Sequence, residues 1–205
     1  MSNNYYPNKG VKIMQTSYGI VKLKENKKVL WITITGLFMA INIGLSSFGI
    51  PVPGGHLYLC DAIICTAALL LDPFAALLVG GIGSFLGDMI FYPAPMFVSL
   101  AVHGLQAFVI SYIVHTKAVD KDEFFKKSLI ALIIGSIIMV IGYTLGKTFV
   151  YSTFQYAMIK LPYEIAQALL GNIIALLVCF KGNLLDFFRK LGNNPTSFKK
   201  LKKSE

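Results

Sequence analysis

VLWITITGLFMAINIGLSSF, residues 29–48, runs for twenty residues without a formal charge. As a helix rising about 1.5 Å per residue, it matches a hydrocarbon core of about 30 Å. The chain then turns at Ile50-Pro51-Val52-Pro53-Gly54-Gly55, where two prolines and two glycines cannot continue a helix. Working outward, apolar stretches follow at Leu57–Leu71, Pro73–Tyr92, Met96–His115, Ser128–Tyr151 and Pro162–Phe180. Asp72-Pro73 marks a boundary, because the residue before a proline is pushed out of the helical region. Pro93 and Pro95 allow a reversal between the third and fourth stretches. The second and third stretches are the shortest or carry a charge, so a hairpin that fails to cross is the alternative for that pair.

Composition supports the same class. Of 205 residues, 55% are hydrophobic and 14% charged, against about 25% charged in a soluble domain. The mean hydropathy is +0.64. Three cysteines in a chain of this length exclude a disulfide-stapled secreted domain. The 13% aromatic content excludes disorder. The net charge of +9 does not point to nucleic acid, because seventeen of the nineteen basic residues fall in the head, in 117–127 or in 181–203. Basic residues gathered at the ends of apolar spans follow the positive-inside pattern. The expected fold is therefore an all-α integral membrane protein of six transmembrane helices, in the cell membrane of a prokaryote, with both termini cytoplasmic. Residues 1–28 form a basic head, 29–182 the membrane domain and 183–205 a basic tail. The connection 152–161 reads as a polar loop on the outer side, and Thr116–Lys127 as an aqueous or interfacial loop.

Ionisable groups inside spans are costly and mark function by default. Asp61, Asp88, Lys147 and Glu164 all fall near the outer ends of their spans, and His103 lies about two turns in. The inner halves lack such groups. That describes a pocket open to the outside and sealed below, whereas an ion path needs polar groups through the full depth. Tyr143, Lys147 and Tyr151 recur at four-residue spacing, so two phenols flank one ammonium on one helix face. Ser84, Asp88 and Tyr92 do the same on the third span, and Glu164, Gln167 and Gly171 share a face of the sixth, with the glycine leaving room. These groups suit a small polar ring, hydrogen-bonded at its edge and stacked on tyrosines.

Bland readings stand beside these. Lys147 pairs structurally with Asp88 or Glu164, or contacts a ligand. His103 is an interhelical hydrogen-bonder or a ligand contact. Asp61 is a helix N-cap behind the Gly54-Gly55 turn, or part of the site. Tyr92 and Tyr151 belong to an interfacial belt or to the pocket. Gly36, Ala40 and Gly44 form a small-residue stripe on the first span, and Gly83 and Gly87 one on the third; either packs internally or docks a partner. Cys60, Cys65 and Cys179 lack metal spacing and read as small apolar residues, so neither a metal nor a cofactor is expected. The chain has no P-loop, HExxH or GxSxG, so an enzyme is not expected.

From Pro51 to Ala62 (PVPGGHLYLCDA) the sequence resembles the substrate-binding S components of energy-coupling factor vitamin transporters, nearest the riboflavin-transporter-type branch. Asp72-Pro73, the Gly83–Asp88 run, His103-Gly104-Leu105-Gln106, and Leu161-Pro162-Tyr163-Glu164 with Gln167 and Gly171 carry the resemblance further, over about 29–182. Cys60 stands where the family usually has glycine, and Glu164 where it usually has asparagine. The resemblance implies a six-helix protein that captures a vitamin from outside. It implies docking on one transmembrane coupling protein and two cytoplasmic ATPases, with Gly36 and Ala40 as the contact, and an outer loop that places His56 and Tyr58 at a lid. The expected ligand contacts are thus His56, Tyr58, Asp88, Tyr92, His103, Tyr143, Lys147, Tyr151, Glu164 and Gln167. A carboxylate, an ammonium and a histidine suit a pyridoxine-like or hydroxymethylpyrimidine molecule, with riboflavin as the other candidate. The competing class is a self-sufficient small carrier or channel, for which an inverted repeat or midplane-broken helices would be expected. The head and tail are expected to rest on anionic lipid headgroups.

Overall fold

The computed structural model describes residues 28–53, 55–117 and 119–193; the head ahead of Lys28 and the end of the tail lie outside the described residues. Helix α1 (Lys28–Ser46) leads into a two-stranded antiparallel hairpin, β1 (Gly49–Val52) and β2 (Gly55–Tyr58), with Gly49 opposite Tyr58 and Val52 opposite Gly55. There follow α2 (Cys60–Leu70), α3 (Pro73–Phe91), α4 (Met96–His115), α5 (Lys121–Tyr151), α6 (Phe154–Lys181) and α7 (Leu184–Asn193). Five of these, α1, α3, α4, α5 and α6, are long and apolar enough to cross a membrane.

Helix α2 has 11 residues and reaches only about 16 Å, half the thickness of a bilayer core. It is apolar all round and almost wholly buried from Cys60 to Leu70, the pattern of a helix enclosed by others. Ile64, Leu69 and Leu70 pack there with Val79, Ile110, Phe124 and Leu132 of α3, α4 and α5.

Three sequence expectations are corrected. The fold is mostly helical, consistent with the expected all-α class, but residues 49–58 form a short hairpin and α2 begins at Cys60, not Leu57. Pro51 sits in a two-stranded hairpin, where a missing N–H is tolerated at an edge. The expected loop 152–161 is helical from Phe154 onward, with Pro162 inside α6. Thr153 starts that helix early, its side chain accepting from the Tyr156 N–H, and the single bond lost at Pro162 does not end it. Likewise α5 starts at Lys121, because the Asp120 carboxylate accepts from the Glu123 N–H at 2.8 Å. The Asp72-Pro73 boundary is as expected: Asp72 caps α3 by accepting from the Phe74 and Ala75 N–H groups, and Pro73 occupies the first turn.

Glycines set the helix spacing. A Cβ on Gly80 would stand 2.4 Å from the His103 carbonyl oxygen, so α3 and α4 touch backbone to backbone. Gly83 and Gly87 face Asn42 and Ser46 of α1, which makes their stripe an internal packing surface. Gly36 and Gly44 have nothing within 4 Å of such a Cβ, and Ala40 between them is exposed. The α1 stripe therefore faces outward, away from Ile34, Phe38, Asn42 and Ser46 on the buried face. The start of the expected tail is not free either. Leu185 of α7 is buried and Phe188 packs edge-on against Phe38 of α1 at 6.1 Å, while Lys121 pairs with Asp186 at 3.1 Å.

Candidate functional site

At the hairpin end of the bundle a cavity of about 650 Å³, its open mouth included, lies under β2 and between α3, α4, α5 and α6. All ten residues expected from the sequence line it: His56 and Tyr58 from the hairpin, Asp88 and Tyr92 from α3, His103 from α4, Tyr143, Lys147 and Tyr151 from α5, Glu164 and Gln167 from α6. Residues that sequence reasoning passed over also line it, among them Ser46, Cys60, Met139, Tyr156 and Lys160. Tyr156 and Lys160 were hidden because 152–161 read as a loop; one helical face carrying 156, 160, 164 and 167 is visible once the helix is extended upstream.

Lys147 and Glu164 form an ion pair, each nearly inaccessible to solvent. The ammonium also lies 5.0 Å from the Tyr143 ring centroid and 5.9 Å from that of Tyr151, as the four-residue spacing predicts. Of the partners left open for Lys147, the carboxylate is Glu164; Asp88 instead accepts from the Ser99 hydroxyl, itself 2.5 Å from the Tyr143 phenol. Residues 147–151 close α5 in a widened π-type turn, an irregularity common at functional sites. A buried pair of this kind owes its place to close geometry, since desolvation offsets most of the attraction.

Asp61 fixes a second network. It is not an N-cap, for no side chain caps α2. Its Oδ1 accepts from Gln106 Nε2 at 3.2 Å and its Oδ2 from Gln167 Nε2 at 2.6 Å. With both amide nitrogens donating, both amide oxygens must accept. Gln167 Oε1 accepts the Tyr58 N–H at 2.9 Å, and Gln106 Oε1 faces His103 Nδ1 at 2.8 Å. His103 therefore carries its proton on Nδ1, and in the neutral ring Nε2 is an acceptor at the cavity wall. Its hydrogen bond is to its own helix, and its ring rests against Tyr143 of α5 at 5.1 Å. Gly171 does not enlarge the cavity: a Cβ there would stand 2.7 Å from Asp61 Cβ, so this glycine lets α6 close onto α2.

Two bonds hold the hairpin over the site. One is the Tyr58–Gln167 bond. The other is from Lys160 Nζ to the His56 carbonyl. Gly55 has φ +132°, and a Cβ there would meet the Tyr156 hydroxyl at 3.2 Å, so the turn requires glycine on both counts.

A polar, tyrosine-lined cavity at one end of an apolar bundle describes a binding protein, and comparison with known proteins says of which kind. Residues 26–182 match the family described as ECF-type riboflavin transporter, S component. The chain belongs to that family. This S component is thus a membrane protein of a transporter family, not of an enzyme family. It is also similar to a Pyrococcus woesei protein described only as an uncharacterized protein in gap 3' region, 28% identical over 137 residues, which are 66% of this chain and 88% of the relative.

Proposed function

We propose that this S component is the capture subunit of an energy-coupling factor importer in the cell membrane, taking a small polar heteroaromatic vitamin or precursor from outside. The observation that carries the reading is the cavity under the hairpin, in which five tyrosines, two ammoniums, two carboxylates and His103 converge at one end of the bundle. Tyrosine faces stack a flat ring, while Glu164, Asp88, Gln167 and His103 supply edge contacts. Pyridoxine-like and hydroxymethylpyrimidine molecules fit that chemistry best. Riboflavin is the second reading, favoured by the family's description.

In this reading residues 29–182 form the membrane domain, α2 with the hairpin acts as the second of six spans, and both basic ends face the cytoplasm. The exposed Gly36–Ala40–Gly44 stripe is the contact for the transmembrane coupling protein, which works with two ATPases. Small side chains there permit close helix approach in lipid. Purified protein in detergent, titrated calorimetrically with pyridoxine, hydroxymethylpyrimidine and riboflavin, tests the reading. One of them is expected to bind with a stoichiometry of about one. ATP-independent accumulation by the lone protein in proteoliposomes would instead establish the self-sufficient carrier.

A further inference from the structure

Glu164 is 2% exposed, and only one of its oxygens is used. Oε1 holds Lys147, while Oε2 has no hydrogen-bond partner among the described residues. A buried acceptor without a donor is costly, more so when charged, and this residue lines the cavity.

The positive charges nearby are already engaged. Lys147 is held by Glu164 and covered by two tyrosine rings. Lys160 donates to the His56 carbonyl. Asp88 and Glu164 match these two ammoniums in number along the wall, and a third carboxylate, Asp61, stands directly behind it, bonded to two neutral amides. The walls are otherwise mostly tyrosine faces, which carry the negative side of the ring quadrupole. No cationic surplus remains for an anion.

We infer that Glu164 Oε2 is a specificity-determining acceptor for an N–H or O–H donor on the ligand, and that the site takes an uncharged or cationic heteroaromatic while rejecting its phosphate ester. The inference rests on the capture reading above and narrows its substrate class.

The test uses the full chain in detergent and calorimetric titration with pyridoxine, hydroxymethylpyrimidine, thiamine and riboflavin. For whichever binds, two relatives are compared: the analogue methylated at its N–H or O–H donor, and the phosphate ester. On the native protein methylation is expected to weaken binding at least about tenfold, and the phosphate ester at least about a hundredfold. In Glu164→Gln the amide oxygen still accepts from Lys147, but its NH₂ meets the ligand donor. The unmodified ligand should then lose at least about tenfold, and the methylation penalty should vanish. A merely steric penalty would persist in the variant. The native-protein comparison stands even if Glu164→Gln folds poorly. Equal binding of the methylated analogue, or of the phosphate ester, overturns the inference and leaves capture intact. Binding by none of the four overturns the capture reading, and the inference with it.

Discussion

Replacing Lys147 with Met removes a charge from a nearly inaccessible ion pair while keeping length and apolar bulk. Lys147 and Glu164 are 5% and 3% accessible along their side chains, so the carboxylate left behind is poorly solvated. Deleting one partner of a buried pair costs about 3–5 kcal/mol. In a chain of this size each kcal/mol shifts Tm by about 2–4 °C, so Lys147→Met is expected to melt roughly 6–20 °C below the native protein. The companion variant Lys147→Met/Glu164→Leu replaces both charges with apolar groups, which is often neutral or stabilising, and should regain most of that loss. Both melting curves are measured on ligand-free protein in one detergent. A single variant within about 2 °C of native would refute the claim that this pair is buried and structural. A double variant melting as low as the single would show that the lost stability lay in the lysine's packing between its two tyrosines.

Gly36→Trp fills open space on α1, so Tm and ligand affinity should stay native while uptake with the coupling protein and ATPases is lost; equal loss of affinity would mean that the stripe serves the bundle. Lys160→Met removes the bond to the His56 carbonyl and should speed ligand release about tenfold, since a charge-assisted bond is worth about 1.5–3 kcal/mol. Stopped-flow release at the native rate would show that Lys160 does not hold the hairpin. Gly171→Ala drives a methyl into Asp61 and should lower stability by about 1–3 kcal/mol in denaturant melts; an unchanged midpoint would mean that α6 yields freely.

The contact of Lys147 with two tyrosines was legible because it depends only on spacing within one helix. So was the start of α3, where Asp72 and Pro73 are adjacent and their effects are local. The hairpin was hidden because Pro51 and Pro53 signal a turn without showing that GIPV and GHLY pair across it. Pro162 misled for a physical reason: a proline marks a helix start only where no better one stands upstream, and Thr153 does. The Asp61 network joins residues 45 and 106 positions apart. No periodicity encodes such a meeting, since it arises from how α2, α4 and α6 pack. The outward face of the α1 stripe likewise follows from the internal seat of the Gly83–Gly87 stripe against Asn42 and Ser46.

Helix α1 has little room to change. Ile34, Phe38, Asn42 and Ser46 are fixed by neighbours within the bundle, Asn42 donating to the Val79 carbonyl and to Ser84 on α3. Where the stripe serves a partner, positions 36, 40 and 44 must also stay small. Only the lipid-facing remainder, such as Val29, Ile32, Leu37 and Ile41, can then drift. On α5, by contrast, Ile130, Ile133, Ile137 and Ile141 are each more than half exposed, and most apolar residues serve. Closely related chains should accordingly accumulate exchanges several times faster along the outer face of α5 than anywhere on α1. A lineage that changed its coupling partner would have to rewrite three positions of one helix while leaving their neighbours untouched.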